Sequence, residues 1–445
     1  MNSRALKPRP SIEPDRLEAV MRELADGVGV RLAGTAGEEE AIRRIVRRFR
    51  DAGAPTVEVE SFPVRARVVE YERLWIRMGG RWRAFPCSLF SNTPGTGGRP
   101  IEAPLLFFES PGEYRRPDLT HLRGKAVVHV GCHIESRESY RRLLEARPAF
   151  LLFVDVRFPG TVPLADGMFP AYTRALGAVP VVNVAYMDAW TWDRAGAEAA
   201  RLCVQGGMRS ARSANVIAEL PGEDPEAGVI LLGAHHDTQA DSPGADDNAS
   251  GVASLVELCR VLAPLARRRT IRLISFGAEE QLSEGSAYHV RRHRARLARQ
   301  GRIMVNFDSL GSGMGLTEVW CHGPAVLARV MRRVFARRGL YPEMKTDLVP
   351  YADHFPFVAA GIPGVWIWRR NCEMGRFFHH RPDDDMSRVS PGRMAAILEP
   401  VADVLADWAL RKTLPFSAAW PTALRKRAAA MWRDLFGGWA VTGRR

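Results

Sequence analysis

The sequence predicts an α/β protein with a mostly parallel central sheet flanked by helices and interrupted by an inserted β-rich domain. Three observations carry this expectation. From Ser213 onward, short apolar runs alternate with segments of helical periodicity, the order that a parallel sheet covered on both faces requires. Between residues 63 and 212 the texture changes to short β-like runs separated by Pro- and Gly-rich turns. The chain has 445 residues, 46% hydrophobic and 25% charged, too many for one ordinary core and suited to two domains or one large decorated domain.

A first helix is expected over residues 15–24. Thr35 and Glu38 have the spacing of a capping box. Behind them Ala41, Ile42, Ile45, Val46 and Phe49 repeat at helical spacing until Gly53 stops the run. A strand follows over 56–62. In the insertion, β-like runs fall at 68–76, 105–108, 126–130, 150–154 and 179–184. Beyond it, strands are expected at 229–232, 271–276, 303–307 and 365–368, and helices at 250–262, 285–299, 325–338 and 391–410. Residues 14–62 and 213–412 thus form one discontinuous domain, 63–212 the insertion and 413–445 a tail. In the tail Leu424, Ala428, Met431, Trp432, Leu435 and Phe436 share one helical face, ringed by Arg425, Lys426, Arg427 and Arg433. A basic amphipathic helix can lie on a membrane surface. Such a stripe more often docks on its own domain or on a partner subunit of a homo-oligomer, which is the expectation here.

Bulk properties narrow the function classes. The formal charge is +13, nearly all from arginine, since lysine occurs only at Lys7, Lys125, Lys345, Lys412 and Lys426. The basic residues are dispersed rather than gathered around aromatic platforms, which argues against nucleic-acid binding. No apolar run approaches the roughly 20 residues of a membrane span. The first ten residues lack an apolar signal core, so a cytoplasmic location is expected. Cys87, Cys132, Cys203, Cys259, Cys321 and Cys372 are scattered singly, the pattern of isolated reduced thiols.

In an open α/β sheet, chemistry gathers at the carboxyl ends of the strands. The run ending at Ala234 is followed by His235-His236-Asp237, and the run ending at Phe276 by Gly277-Ala278-Glu279-Glu280. The run ending at Phe307 leads into Asp308, and His379-His380 precede the last helix. Between the first two lies Gly244-Ala245-Asp246-Asp247-Asn248-Ala249-Ser250-Gly251, a turn where backbone can approach a cation closely. A carboxylate there can bridge two metals about 3.5–4 Å apart. Consecutive side chains at a strand end point to different sides, so one of Glu279 and Glu280 can bind metal while the other faces the water as base. Histidine and carboxylate donors without cysteine suit a catalytic zinc. Asp237 is placed to accept the other N–H of the His235 imidazole. His236 and Asp246 read as structural, Asp353 and His354 as a pair supporting the ligands from behind or, slightly favoured, a wall of the substrate pocket, and Asp384 as holding His380 or capping the last helix.

These motifs, with Asn306-Phe307-Asp308, Asp353-His354-Phe355-Pro356-Phe357, Ala360-Gly361-Ile362-Pro363 and the final His380, resemble the two-zinc aminopeptidase family. That family also includes glutamate carboxypeptidase, the transferrin receptor and glutaminyl cyclase. The resemblance covers residues 15–62 and 213 to about 410. It implies two Zn²⁺ per chain: one held by His235 and Asp308, one by Glu280 and His380, with Asp247 bridging and starting a cis peptide to Asn248. It implies Glu279 as general base. The segment 63–212, with its Gly124-Lys125-Ala126-Val127-Val128 run, resembles the family's protease-associated insertion. One departure is His379, where relatives often carry a tyrosine that steadies the oxyanion. An imidazole can also donate there, or simply pack against the insertion. The function implied is a zinc-dependent exopeptidase acting on peptides or small amides, an aminopeptidase first. A one-zinc glutaminyl-cyclase-like acyltransferase and an inactive binding protein of the same fold are the alternatives.

Overall fold

The computed structural model describes residues 9–131, 133–134, 136–372, 375–416 and 420–440. Cys132 and the first eight residues lie outside them. The remaining cysteines are all free thiols.

The strand Val229–His235 is apolar on both faces and wholly buried, the composition of a central strand in a parallel sheet. Thr270–Phe276 and Gly301–Phe307 flank it in parallel, and Gly364–Arg370 follows Gly301–Phe307. Two strands not foreseen from the sequence, Leu316–His322 and Glu343–Lys345, extend this edge. Helices Pro14–Ala25, Ser250–Leu262 and Pro391–Leu410 share one hydrophobic core with the sheet. Helix Ser250–Leu262 starts so close to the end of Gly301–Phe307 that a Cβ on Gly251 would lie 2.3 Å from the Phe307 carbonyl oxygen. Only glycine permits that approach, which brings the turn before the helix to the strand ends.

The expected junctions at 62/63 and 212/213 fall inside continuous strands. Thr56–Met78 and Ala199–Leu220 pair antiparallel along most of their lengths. Their far halves carry the insertion, in which Ile101–Glu109, Ala126–Gly131, Phe150–Asp155 and Val181–Asn183 form a parallel array. Its own core includes Leu74, Ile76, Val128, Phe150, Leu152 and Trp192. One strand order therefore runs through both parts of the molecule.

The helix Thr422–Phe436 packs Ala428, Trp432, Leu435 and Phe436 into a cluster shared with Tyr172 of the insertion and Phe355. Tyr172 donates to Asp434 at 2.8 Å, and the Arg291 guanidinium lies 4.8 Å from the Trp432 ring. Among the described residues, no helix is long and apolar enough to cross a membrane.

The expected capping box does not form. Thr35 makes no side-chain cap; its hydroxyl donates to the Leu32 carbonyl. The Glu38 carboxylate instead accepts from the Gly34 N–H and the Ser213 hydroxyl, each at 2.6 Å. The reason is tertiary: the strand holding Ser213 buries Glu38 completely.

Candidate metal centre

Most candidate side chains are delivered by the ends of regular elements, while His380 stands on a turn ahead of helix Pro391–Leu410. His235 ends the central strand, Glu279 and Glu280 open a short turn after Thr270–Phe276, and Asp308 follows Gly301–Phe307. Asp247 lies in the segment Ala245–Ala249 before helix Ser250–Leu262, and its peptide bond to Asn248 is cis. Asn248 ties this turn to the next strand end. Its amide donates to the Phe307 carbonyl at 2.9 Å and its carbonyl accepts from the Gly251 and Ser309 N–H groups. Ala278, Ser283, Ser309 and His380 all hold positive φ, a conformation costing non-glycine residues roughly 1–2 kcal/mol each. Their clustering around the proposed ligands is the pattern of strain held at a functional site.

The five expected ligands converge. His235 Nε2 lies 3.2 Å from Asp247 Oδ1 and 3.5 Å from Asp308 Oδ1. His380 Nε2 lies 2.9 Å from Glu280 Oε2 and 3.5 Å from Asp247 Oδ2. The two oxygens of Asp247 thus face two different donor groups. Within 4.8 Å of one another lie donor atoms of His235, Asp247 and Glu280, and likewise of Asp247, His379 and His380. His235 Nε2 and Glu280 Oε1 are buried without a hydrogen-bond partner. Orphaned donors of this kind are costly unless a ligand satisfies them, and nitrogen and oxygen atoms in this arrangement fit a divalent cation.

The electrostatics agree. Burial, reinforced by neighbouring carboxylates, pushes the pKa values of Glu279, Glu280 and Asp384 well above the ordinary carboxylate range. Burial alone would depress His235, but Asp237, Asp247 and Asp308 hold its pKa well above the usual value. Asp247 stays ionised against its burial because Arg376 and His235 face it. Excess buried carboxylate that retains protons is a charge deficit that a metal corrects.

Several side chains differ from expectation. Asp237 does not hydrogen-bond the His235 ring through its carboxylate: Oδ1 is 3.6 Å from Nδ1, while its backbone carbonyl sits at 3.1 Å. The carboxylate instead accepts from the Glu279 and Glu280 N–H groups at 2.9 and 3.2 Å, because the turn after the neighbouring strand lies over it. Asp384 neither holds His380 nor caps the last helix. It accepts from the Asp246 and Asp247 N–H groups at 2.8 and 3.0 Å, and Ser390 supplies the cap. Asp353 and His354 do not line the cleft; both are fully buried, and His354 stacks behind Trp366. His236 is buried against Ser275, and Asp246 accepts from the Gly311 N–H. His379 packs against the insertion: its ring stacks on Phe158, and its Nδ1 lies 3.2 Å from Asp247 Oδ2.

Three residues of the cleft were not anticipated. Arg376 is buried, with Nη2 2.8 Å from Asp247 Oδ2 and Nη1 3.6 Å from Asp308 Oδ1. Asp166, from the insertion, lines the same cleft. Ser283 donates to Glu279 Oε1 at 2.9 Å. None stands at an apolar strand end, the signal that singled out His235, Glu279, Glu280 and Asp308. The cleft opens past Arg376 and His379 into a hollow of about 620 Å³, walled by Trp320, Trp366 and Trp368.

A parallel sheet that gathers histidines and carboxylates around one shared aspartate defines a metal-dependent hydrolase. Residues 215–405 match the model of peptidase family M28, and the chain is a metallopeptidase. Over 425 residues it is 23% identical to aminopeptidase YwaD of Bacillus subtilis, covering 94% of this chain and 88% of that one. It is 25% identical to carboxypeptidase Q of Rattus norvegicus, covering 88% and 85%. The solved zinc aminopeptidase BSAP of Bacillus subtilis superposes with a TM-score of 0.72 at 20% identity, covering 93% of this chain and 98% of that one.

Proposed function

We propose that the chain is a zinc-dependent aminopeptidase that hydrolyses the N-terminal amide bond of short peptides. The division of the Asp247 oxygens between His235 with Asp308 and His380 with Glu280 carries this reading. His235 and Asp308 would hold one zinc, Glu280 and His380 a second, with Asp247 shared. When bound, such a pair makes water nucleophilic near neutral pH and polarises a carbonyl.

The chain's own residues do the rest. Glu279 points Oε2 into the cleft, 3.9 Å from His235 Nε2, while Ser283 fixes its other oxygen. It takes the proton of the attacking water and returns it to the leaving amine. Its raised proton affinity, set mainly by burial, suits a group that must hold a proton between the two steps. His379 Nδ1 already faces Asp247 and Arg376, so Nε2 is left to donate to the oxyanion. Asp166 has no place in the ligand set and lies in the cleft wall; it would receive the substrate's free α-ammonium. The aromatic hollow beyond would take the adjoining side chain.

The test compares free and N-acylated aminoacyl-anilides with the metal-loaded chain. Only the free forms are expected to be cleaved, and Glu279→Ala should lower turnover by about 10²–10⁴ with zinc content unchanged. Equal cleavage of acylated substrates would exclude the aminopeptidase reading, and undiminished turnover in the variant would exclude Glu279 as base.

A further inference from the structure

A second cluster of donors lies apart from the cleft. His289 and His293 stand one turn apart on helix Glu284–Gln300, so both project from one face. Opposite them is Glu60, on the long strand Thr56–Met78. His289 Nδ1 is 2.8 Å from Glu60 Oε2, and His293 Nε2 is 2.6 Å from Glu60 Oε1. The three donor atoms lie within 4.8 Å of one another. The Asn215 amide donates to Glu60 Oε2 at 3.0 Å and fixes the plane of the carboxylate.

We infer that Glu60, His289 and His293 form a separate metal site for a zinc-class divalent ion, with a fourth position open to solvent. Two histidines at i and i+4 on a helix with one carboxylate from another element are a donor set that zinc accepts in tetrahedral geometry. Metal–donor bonds of about 2.0–2.1 Å place neighbouring donors roughly 3.3 Å apart. The present separations of 2.6 and 2.8 Å need to open by less than about 1 Å. His293 is the flexible member, with 30% of its side chain exposed against 1% for His289 and 8% for Glu60. The open position therefore lies on its side.

The protonation states suit a ligand set. Burial lowers the pKa of His289, leaving a neutral imidazole. Burial opposes ionisation of Glu60, yet hydrogen bonds from His289 and His293 hold its carboxyl well below the ordinary range. Two other charged groups are near. Arg292 Nε lies 3.8 Å from Glu60 Oε1 on a side chain 56% exposed, so it can turn to solvent when an ion takes its place. Arg272, which adds positive charge near His289, is held by Glu219 at 2.7 Å.

The site also touches the catalytic turn. Asn215, which orients Glu60, accepts from the Gly277 N–H at 3.3 Å, two residues before Glu279. An ion between Glu60 and the helix would tie the long strand and helix Glu284–Gln300 to the segment that carries the base.

The experiment is a cobalt(II) titration of the full metal-free chain, read by visible absorption and by metal content after gel filtration. It is run on the unaltered chain, on His293→Ala and on Glu60→Gln. Both variants should bind one ion fewer per chain, with the spectral contribution of that ion missing. His293 is partly exposed, so its truncation leaves the core intact, and circular dichroism checks the fold of each variant. Equal metal content in all three chains overturns the site. The readout is a difference between variants, so it stands whether the catalytic cleft holds one ion or two.

Discussion

Arg376 places a fixed positive charge where the proposed zinc pair must bind. Its guanidinium is 2.8 Å from Asp247 and 3.6 Å from Asp308, so an ion on those same oxygens would sit within about 5 Å of it. Unit charges about 4 Å apart at an effective dielectric near 20 interact by about 4 kcal/mol. A divalent ion doubles the charge, while the larger separation and rearrangement of the flexible arginine reduce the effect. A net cost of about 1.5–3 kcal/mol to zinc binding remains, or about 10–100-fold in affinity. Arg376→Met, which keeps the bulk and removes the charge, should tighten zinc binding by that factor in competition with a chromophoric chelator. The metal-free variant should melt earlier than the parent, because breaking a buried ion pair typically costs about 3–5 kcal/mol. Arg376 would then be the group that neutralises the carboxylates until metal arrives. Unchanged or weakened zinc affinity in the variant would refute this and make Arg376 a brace of the loaded site.

Other expectations follow from individual contacts. Asp384→Asn presents an amide N–H to one of the two backbone N–H groups that the carboxylate now accepts. The turn carrying Asp247 should loosen and zinc affinity fall by about 10–100-fold; equilibrium dialysis showing parental affinity would discount the clamp. Burial raises Glu38 from its ordinary 4.5 to about 8, so the folded chain binds a proton there that the unfolded chain releases. The associated stability is complete below pH 4.5 and is lost as pH rises through 8, by roughly 5 kcal/mol at most. Glu38→Gln should flatten this decline, and urea unfolding at pH 5, 7 and 9 that shows the same slope in both chains would rule it out.

Much of the catalytic half was legible because its signals are local. Helices Ser250–Leu262 and Pro391–Leu410 match their expected ranges, since amphipathic periodicity and end signals lie within each segment. The insertion was harder. The strand Ala199–Leu220 carries Gln205, Gly206, Gly207 and Arg209 in its middle, a stretch without apolar alternation. It is strand only because Thr56–Met78 pairs beside it. Leu316–His322 was missed for a similar reason: its order comes from pairing with Gly364–Arg370.

The types of donor and their order along the chain were set by the sequence alone. An apolar run followed by histidine or carboxylate marks a strand end, wherever that strand lies in the sheet. The folded structure decided which backbone groups those carboxylates serve. Asp384 clamps a turn 137 residues before it, Asp237 holds the start of the Glu279 turn, and Arg376 faces Asp247 across 129 residues. Glu60 meets His289 and His293 across 229 and 233 residues. Periodicity reports the face a side chain takes on its own element. Partners so far apart in the chain are chosen by how the elements pack, because the cost of burying charge is settled only by what packing brings beside it.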